Sequence, residues 1–125
     1  MVLVDTSVWI RAFMGREPFA PELDRLLSID QVVGHELVYG ELLIGDRGGR
    51  KKLLSNFGKM FQAANVPHTD VVAFVEMRNL HGCGVGWIDI SLLASAMVSG
   101  LKLWTADSRL SELATEFGVN HRVAA

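Results

Sequence analysis

The stretch VLVDTSVWI (residues 2–10) decides how the rest of the chain is read. Its apolar run, Val2-Leu3-Val4, stops at three small polar residues, Asp5-Thr6-Ser7, and apolar character returns at Val8-Trp9-Ile10. A short continuous apolar run bounded by polar residues is the pattern of a strand buried on both faces. Small oxygen-bearing side chains directly after it suit the start of a helix, because they accept its unpaired backbone N–H groups. Strand followed at once by helix is the first half of a parallel β-α-β unit, and it puts Asp5 at the carboxyl end of the strand.

The same alternation continues along the chain. Pro18 to Ile29 carries Phe19, Leu23, Leu26 and Leu27 at helical spacing, with proline near the start. Gln31 to Gly34 reads as a short strand, and Glu36 to Ile44 as a helix with glycine at its end. Asp46 to Lys52 is a basic turn, and Leu53 to Ala64 is expected to be helical. Ala64 to His68 is expected as an edge strand, since Pro67 would remove a ladder donor. Asp70 to Leu80 reads as a helix with Val71, Phe74, Val75 and Met77 inward, followed by the glycine-rich loop His81 to Gly86. Trp87 to Ser99 is an apolar helix ending at Gly100, Leu101 to Trp104 a strand, and Asp107 or Ser108 the cap of a last helix to Phe117. Val119 to Val123 is expected as a final strand. This order predicts an α/β fold, a three-layer α/β/α sandwich around a central, mainly parallel sheet, in one domain spanning residues 1–125.

The 125 residues, half of them hydrophobic, suffice for a core without staples. The single cysteine, Cys83, excludes an intramolecular disulfide and suits a reducing compartment. No apolar stretch approaches the roughly 20 residues that span a bilayer, and the start has no signal-peptide pattern, so a cytoplasmic protein is expected. With a net charge of -2 and a pI near 6.0, nucleic-acid binding would need a local basic patch or bound metal rather than general phosphate attraction. A mean hydropathy of +0.27 implies more apolar surface than one domain hides, and hence a protein partner or a homodimer.

Open parallel sheets bind ligands beyond the carboxyl ends of their strands. Asp5 lies there, Asp107 follows the strand at Lys102 to Trp104, and Asp89 sits in the first turn of the helix before that strand. Glu41 interrupts an otherwise apolar helix, and no basic residue stands three or four positions from it. Each aspartate has an ordinary reading as a helix cap or first-turn acid, and Glu41 one as a solvated side chain. Gathered at one edge, however, four carboxylates repel one another, and the usual remedy is a hard divalent cation, Mg²⁺ or Mn²⁺. Such ions bind phosphate oxygens and activate water, which points to phosphoester cleavage.

These segments resemble the PIN-domain ribonucleases, and specifically the VapC toxins of bacterial toxin–antitoxin pairs. The carriers are Val2 to Ile10, the run HELVYGELLIG (residues 35–45), the run GWIDISLLASA (residues 86–96) and the run LWTADSRL (residues 103–110). The resemblance implies an acidic catalytic site of Asp5, Glu41, Asp89 and Asp107, with Asp5, Asp89 and Asp107 as metal ligands and Glu41 binding metal or positioning a water. Thr6, Ser7 and Thr105 would donate the hydrogen bonds that hold these carboxylates. No acid of the pattern is missing. It further implies a PIN-like sandwich, Mg²⁺ or Mn²⁺ as cofactor, an RNA substrate such as tRNA or rRNA, a homodimer, and a cognate VapB-like antitoxin. A segment of the antitoxin would pack into a groove near the acids, where its Arg or Lys would pair with them.

Arg47, Arg50, Lys51 and Lys52 are candidate RNA contacts or simply a solvated loop. Arg109 is a candidate phosphate contact or a partner for Glu112. His81 and Cys83 lack a second ligand pair and make poor zinc evidence. Trp9, Trp87 and Trp104 are expected in the core. Ser7, two residues after Asp5, occupies the place where an aspartyl phosphatase carries its second Asp. Lys102 precedes its strand, which counts against a phospho-accepting receiver. A PIN-like module that binds RNA or protein without cutting is the alternative.

Overall fold

Three short parallel strands, β1 (Val2–Val4), β2 (Val32–Val33) and β3 (Lys102–Trp104), form a sheet in the order β2-β1-β3. The structure is a computed structural model describing residues 1–124, except for the side chains of Lys52 and Leu53. β1 takes the central place because it can be buried on both faces: all three of its side chains are, with Leu3 and Val4 wholly enclosed. It pairs Val2 with Val32 on one side, and Val2 to Val4 with Lys102 to Trp104 on the other. Single parallel bridges, Gly34 with Gln62 and Leu103 with Asn120, extend the two edges.

The helices between these strands are α1 (Thr6–Phe13), α2 (Phe19–Ser28), α3 (Glu36–Gly45), α4 (Lys51–Phe57), α5 (His68–Met77), α6 (Trp87–Ser99) and α7 (Ser108–Glu116). The crossover from β1 to β2 and that from β2 to β3 run in opposite directions across the sheet. Right-handed connections therefore put α1 and α2 on one face and α6 on the other. The chain leaving β1 turns toward β2, while the chain leaving β3 turns away toward Asn120. The crevice beyond the carboxyl ends of β1 and β3 is thus a topological switch point, where ligands bind in such sheets. α6 is buried from Ile90 to Ala96, as its apolar sequence requires, and ends at Gly100 in the left-handed conformation (φ 67°).

Several boundaries differ from the sequence reading. α4 stops at Phe57, with Gly58 next, rather than continuing to Ala64. Ala64 to Pro67 form no strand; the pairing on that edge is made earlier, by Gln62, and Pro67 instead caps α5. The last expected strand is one bridge at Asn120. α5 begins at His68 rather than Asp70, and its Met77 is exposed rather than inward. Among the tryptophans, Trp9 and Trp104 are buried, but Trp87 lies open on the surface. Among the described residues, no helix is long and apolar enough to cross a membrane.

Candidate active site

Asp5 follows β1 and occupies the N-cap position of α1, yet its side chain does not cap that helix. Its Oδ2 instead accepts two hydroxyl bonds, from Ser7 Oγ at 2.7 Å and from Thr105 Oγ1 at 2.8 Å. The two hydroxyls in turn accept backbone N–H bonds, Ser7 Oγ from Ala106 at 3.0 Å and Thr105 Oγ1 from Asp107 at 3.0 Å. With the backbone bond from Asp5 N–H to the Trp104 carbonyl, at 2.9 Å, these lock residues 5–7 to residues 104–107. Asp5 itself is buried, so its charge leaves water only because these donors replace it.

Asp107 does cap its helix: Oδ1 accepts from Leu110 N–H at 2.9 Å. For this acid the ordinary reading is correct, and it holds one oxygen. Glu41, exposed on α3, accepts from Thr6 Oγ1–H at 2.7 Å through Oε1. Asp89 is half-buried in the first turn of α6. Its carboxyl is pushed up from the ordinary 3.8 to about 6, first by burial and then by the charges of Asp5, Asp107 and Glu41. One group thus feels all three others, so acids from four separate elements share one electrostatic site.

No three acidic, histidine or cysteine side chains among the described residues close into a metal cage as they stand. Coulombic influence reaches further than coordination, and two of the acids are drawn aside, Asp107 by its own helix and Glu41 by Thr6. The bonds named above leave the other oxygen of each carboxylate. An all-oxygen set with uncompensated mutual repulsion fits a hard divalent cation after small side-chain rotations.

His35 is a residue whose importance the sequence reading missed. It is fully buried and caps α3, with Nδ1 accepting from Leu37 N–H at 3.0 Å. The ring proton is therefore on Nε2, which donates to Ser95 Oγ at 2.9 Å. Burial holds its pKa below the ordinary value, against a smaller opposing pull from Glu36. The bond ties the helix bearing Glu41 to the helix bearing Asp89. A histidine directly before an apolar helix was the only sequence signal.

Of the basic candidates, Arg50 lies beside one of the acids, Glu41. Arg50 stacks over the Phe13 ring at 4.7 Å and lines a groove of about 190 Å³ with Ile10, Phe13, Met14, Leu42 and Glu41. Arg47 and Lys51 are exposed, and the Lys52 side chain lies outside the described residues. Arg109 donates to the Gly84 carbonyl at 3.5 Å; among the described residues it makes no ion pair with Glu112.

Two expected results follow from the geometry. Thr105→Val keeps the shape but removes the donor to Asp5 and the acceptor for Asp107 N–H. Loss of such a supporting bond typically costs about 10–100-fold. Steady-state cleavage kinetics should show a loss of that size at full helical content; unchanged activity would contradict the role of the hydroxyl. The second concerns pH in metal-free protein. Because the folded-state pKa of Asp89 is raised, folding favours its protonated form. Stability from this group is therefore present below about pH 4 and lost as pH rises to about 6. Asp89→Asn lacks this loss, so its thermal stability relative to the parent should improve across that window and then level off. With solvent screening discounted, the gain is on the order of 1 kcal/mol. A pH-independent difference between the two melting curves would contradict it.

The family model described as PIN domain matches residues 2–116. The chain is 39% identical over 120 residues to Ribonuclease VapC32 of Mycobacterium tuberculosis, in both strain CDC 1551 / Oshkosh and strain ATCC 25618 / H37Rv, covering 95% of this chain and 94% of the relative. The crystal structure of PAE2754 from Pyrobaculum aerophilum shares the fold at 18% identity, with a TM-score of 0.56 over 94% of this chain and 88% of that one.

Proposed function

This chain belongs to the PIN-domain family, and we propose that it is a metal-dependent endoribonuclease, the toxin of a VapBC-type pair, acting as a single domain. The observation that supports this reading most is the convergence of four carboxylates at the switch point, where burial first and then the charges of the other three raise Asp89. The name of its Mycobacterium tuberculosis relatives, Ribonuclease VapC32, points the same way.

Asp5, Asp89 and Asp107 would hold Mg²⁺ or Mn²⁺. Such an ion, when bound, neutralises the acids, draws in a phosphate oxygen and makes water a better nucleophile. The chain's own residues do the rest. Ser7 and Thr105 hold Asp5 in one orientation through Oδ2, and Thr6 holds Glu41 through Oε1. Glu41 Oε2 is then left to accept a hydrogen bond from the attacking water and orient it in line with phosphorus. Arg50, in the groove beside Glu41, would serve as a cation for a neighbouring phosphate, and Arg47, Lys51, Lys52 and Arg109 are proposed as further RNA contacts, which would let an acidic protein bind RNA.

A structured RNA of the translation apparatus, tRNA or rRNA, is the proposed substrate. The groove beside Glu41, apolar at Ile10, Phe13, Met14 and Leu42, suits a segment of a cognate antitoxin. A basic side chain of that segment would pair with the acids. The exposed apolar residues, among them Ile44 and Met77, suit a homodimer in the cytoplasm. Expression in bacteria lacking an antitoxin tests the reading: it should arrest growth and produce discrete new RNA ends in total RNA. Growth without arrest and without new ends would refute it.

A further inference from the structure

Among the described residues, two hydrogen bonds between side chains lie wholly inside the protein. One, from Thr105 to Asp5, belongs to the acid site. The other, 2.9 Å between His35 Nε2 and Ser95 Oγ, joins two side chains that are both 0% exposed. Burying a polar pair carries a desolvation cost that apolar side chains of like size would not. Ser91, one turn earlier on α6, satisfies its hydroxyl locally by donating to the Trp87 carbonyl of its own helix. Ser95 Oγ instead takes its bond from the residue that caps α3.

The positions of the four residues along the two helices give this bond a geometric meaning. Glu41 stands six residues after His35 on α3, and Asp89 six residues before Ser95 on α6. Each separation is about 9 Å of helix axis. At the other end of these segments the acids are near enough for the charge of Glu41 to act on Asp89. Two stretches of helix of equal length are thus bonded at one end and meet in the acid site at the other. The bond from Leu37 N–H to Nδ1, at 3.0 Å, fixes the ring and aims its Nε2–H at Ser95. A slip at the His35–Ser95 end is carried along both helices to the carboxylates.

We propose that His35 is a positioning residue for cleavage: through Ser95 it sets the separation of Glu41 from Asp89, and with it the place of the attacking water. The inference rests on the ribonuclease reading above. A misplacement of about 1 Å, even from a change far from the chemistry, can cost on the order of 100-fold in rate.

The two ring nitrogens can be replaced one at a time. In His35→Asn the amide oxygen stands in for Nδ1, which keeps the cap and loses the bond to Ser95. In His35→Gln the amide nitrogen stands in for Nε2, which keeps the bond and loses the cap. Ser95→Ala removes the acceptor alone and keeps the test open if His35→Asn does not fold. The readout is cleavage of total bacterial RNA by the full chain with Mg²⁺. His35→Asn and Ser95→Ala should lower kcat on the order of 100-fold with KM little changed. His35→Gln should keep most of the parent kcat although, lacking the cap, it melts at a lower temperature. Parent-like kcat in Ser95→Ala, a loss in His35→Gln equal to that in His35→Asn, or a KM that rises as far as kcat falls would each overturn the assignment.

A second readout does not need cleavage. Nitroxide labels at Ile44→Cys and Val98→Cys, positions 91% and 70% exposed, report the distance between α3 and α6 by dipolar electron paramagnetic resonance. The labelled chain carries Cys83→Ser and is diluted with unlabelled protein, so that pairs within one chain are read. The distance distribution should shift or broaden in Ser95→Ala and match the parent in His35→Gln. Identical distributions in the parent and Ser95→Ala would overturn the tether. The expected shift in a parent that cuts no RNA would uphold the tether and sink the ribonuclease reading.

Discussion

Asp5→Asn is expected to lower RNA cleavage by more than the roughly 100-fold that loss of an outer hydrogen-bond partner costs. The asparagine carbonyl can still accept from Ser7 and Thr105, the two hydroxyls now on Oδ2 at 2.7 and 2.8 Å, so the lock between residues 5–7 and 104–107 survives. What disappears is the negative charge at the switch point. The fold is expected to hold or to gain stability, because Asp5 is the acid whose charge contributes most to raising Asp89. Circular dichroism and a thermal melt provide the control, and single-turnover cleavage the readout. A variant with more than a tenth of the parent rate would remove Asp5 from the chemistry.

Removing divalent metal is expected to have an effect of the same order. Excess EDTA should reduce cleavage to background, and Mg²⁺ or Mn²⁺ added beyond the chelator should restore it. The same ions should raise the melting temperature of the parent, because a ligand that binds only the folded state stabilises it in proportion to the logarithm of its concentration over Kd. The rise should shrink in Asp89→Asn, whose half-buried side chain no longer carries the charge that repels its neighbours. Cleavage undiminished in EDTA would show that the acids work without a metal, and the mechanism would fall.

The parts of the fold that were legible in the sequence are those with a strong local signal. Val2 to Val4 is wholly apolar and is buried on both faces, and α6 is apolar from its start to the glycine that ends it. The edges were not legible in detail. Gln62 and Asn120 each contribute a single bridge, too short to leave a period in the sequence, so both edge strands were placed in the wrong residues or made too long. Helix α4 ends at Phe57 although the apolar spacing runs on, because Gly58 and the pairing of Gln62 with Gly34 turn the chain back to the sheet.

The acids were easier to find than to interpret. A helix cap and a catalytic carboxylate occupy the same place after a parallel strand, so Asp5 and Asp107 look alike in sequence. Their hydrogen bonds differ: one oxygen of Asp107 caps α7, whereas Oδ2 of Asp5 accepts from Ser7 and Thr105. Trp87 was misplaced for a similar reason, since an apolar run does not say which of its members lie beyond the end of the core. His35 was overlooked because its bond to Ser95 spans 60 residues of sequence.

The central claim is that Asp5, Asp89 and Asp107 hold a divalent ion together. Mn²⁺ binding followed by electron paramagnetic resonance tests it most directly, in the parent and in the three single Asp→Asn variants. The account predicts saturable binding by the parent, weakened at least about tenfold in each variant, the loss that even an outer partner can cause. Equal Mn²⁺ affinity in all four proteins would contradict it.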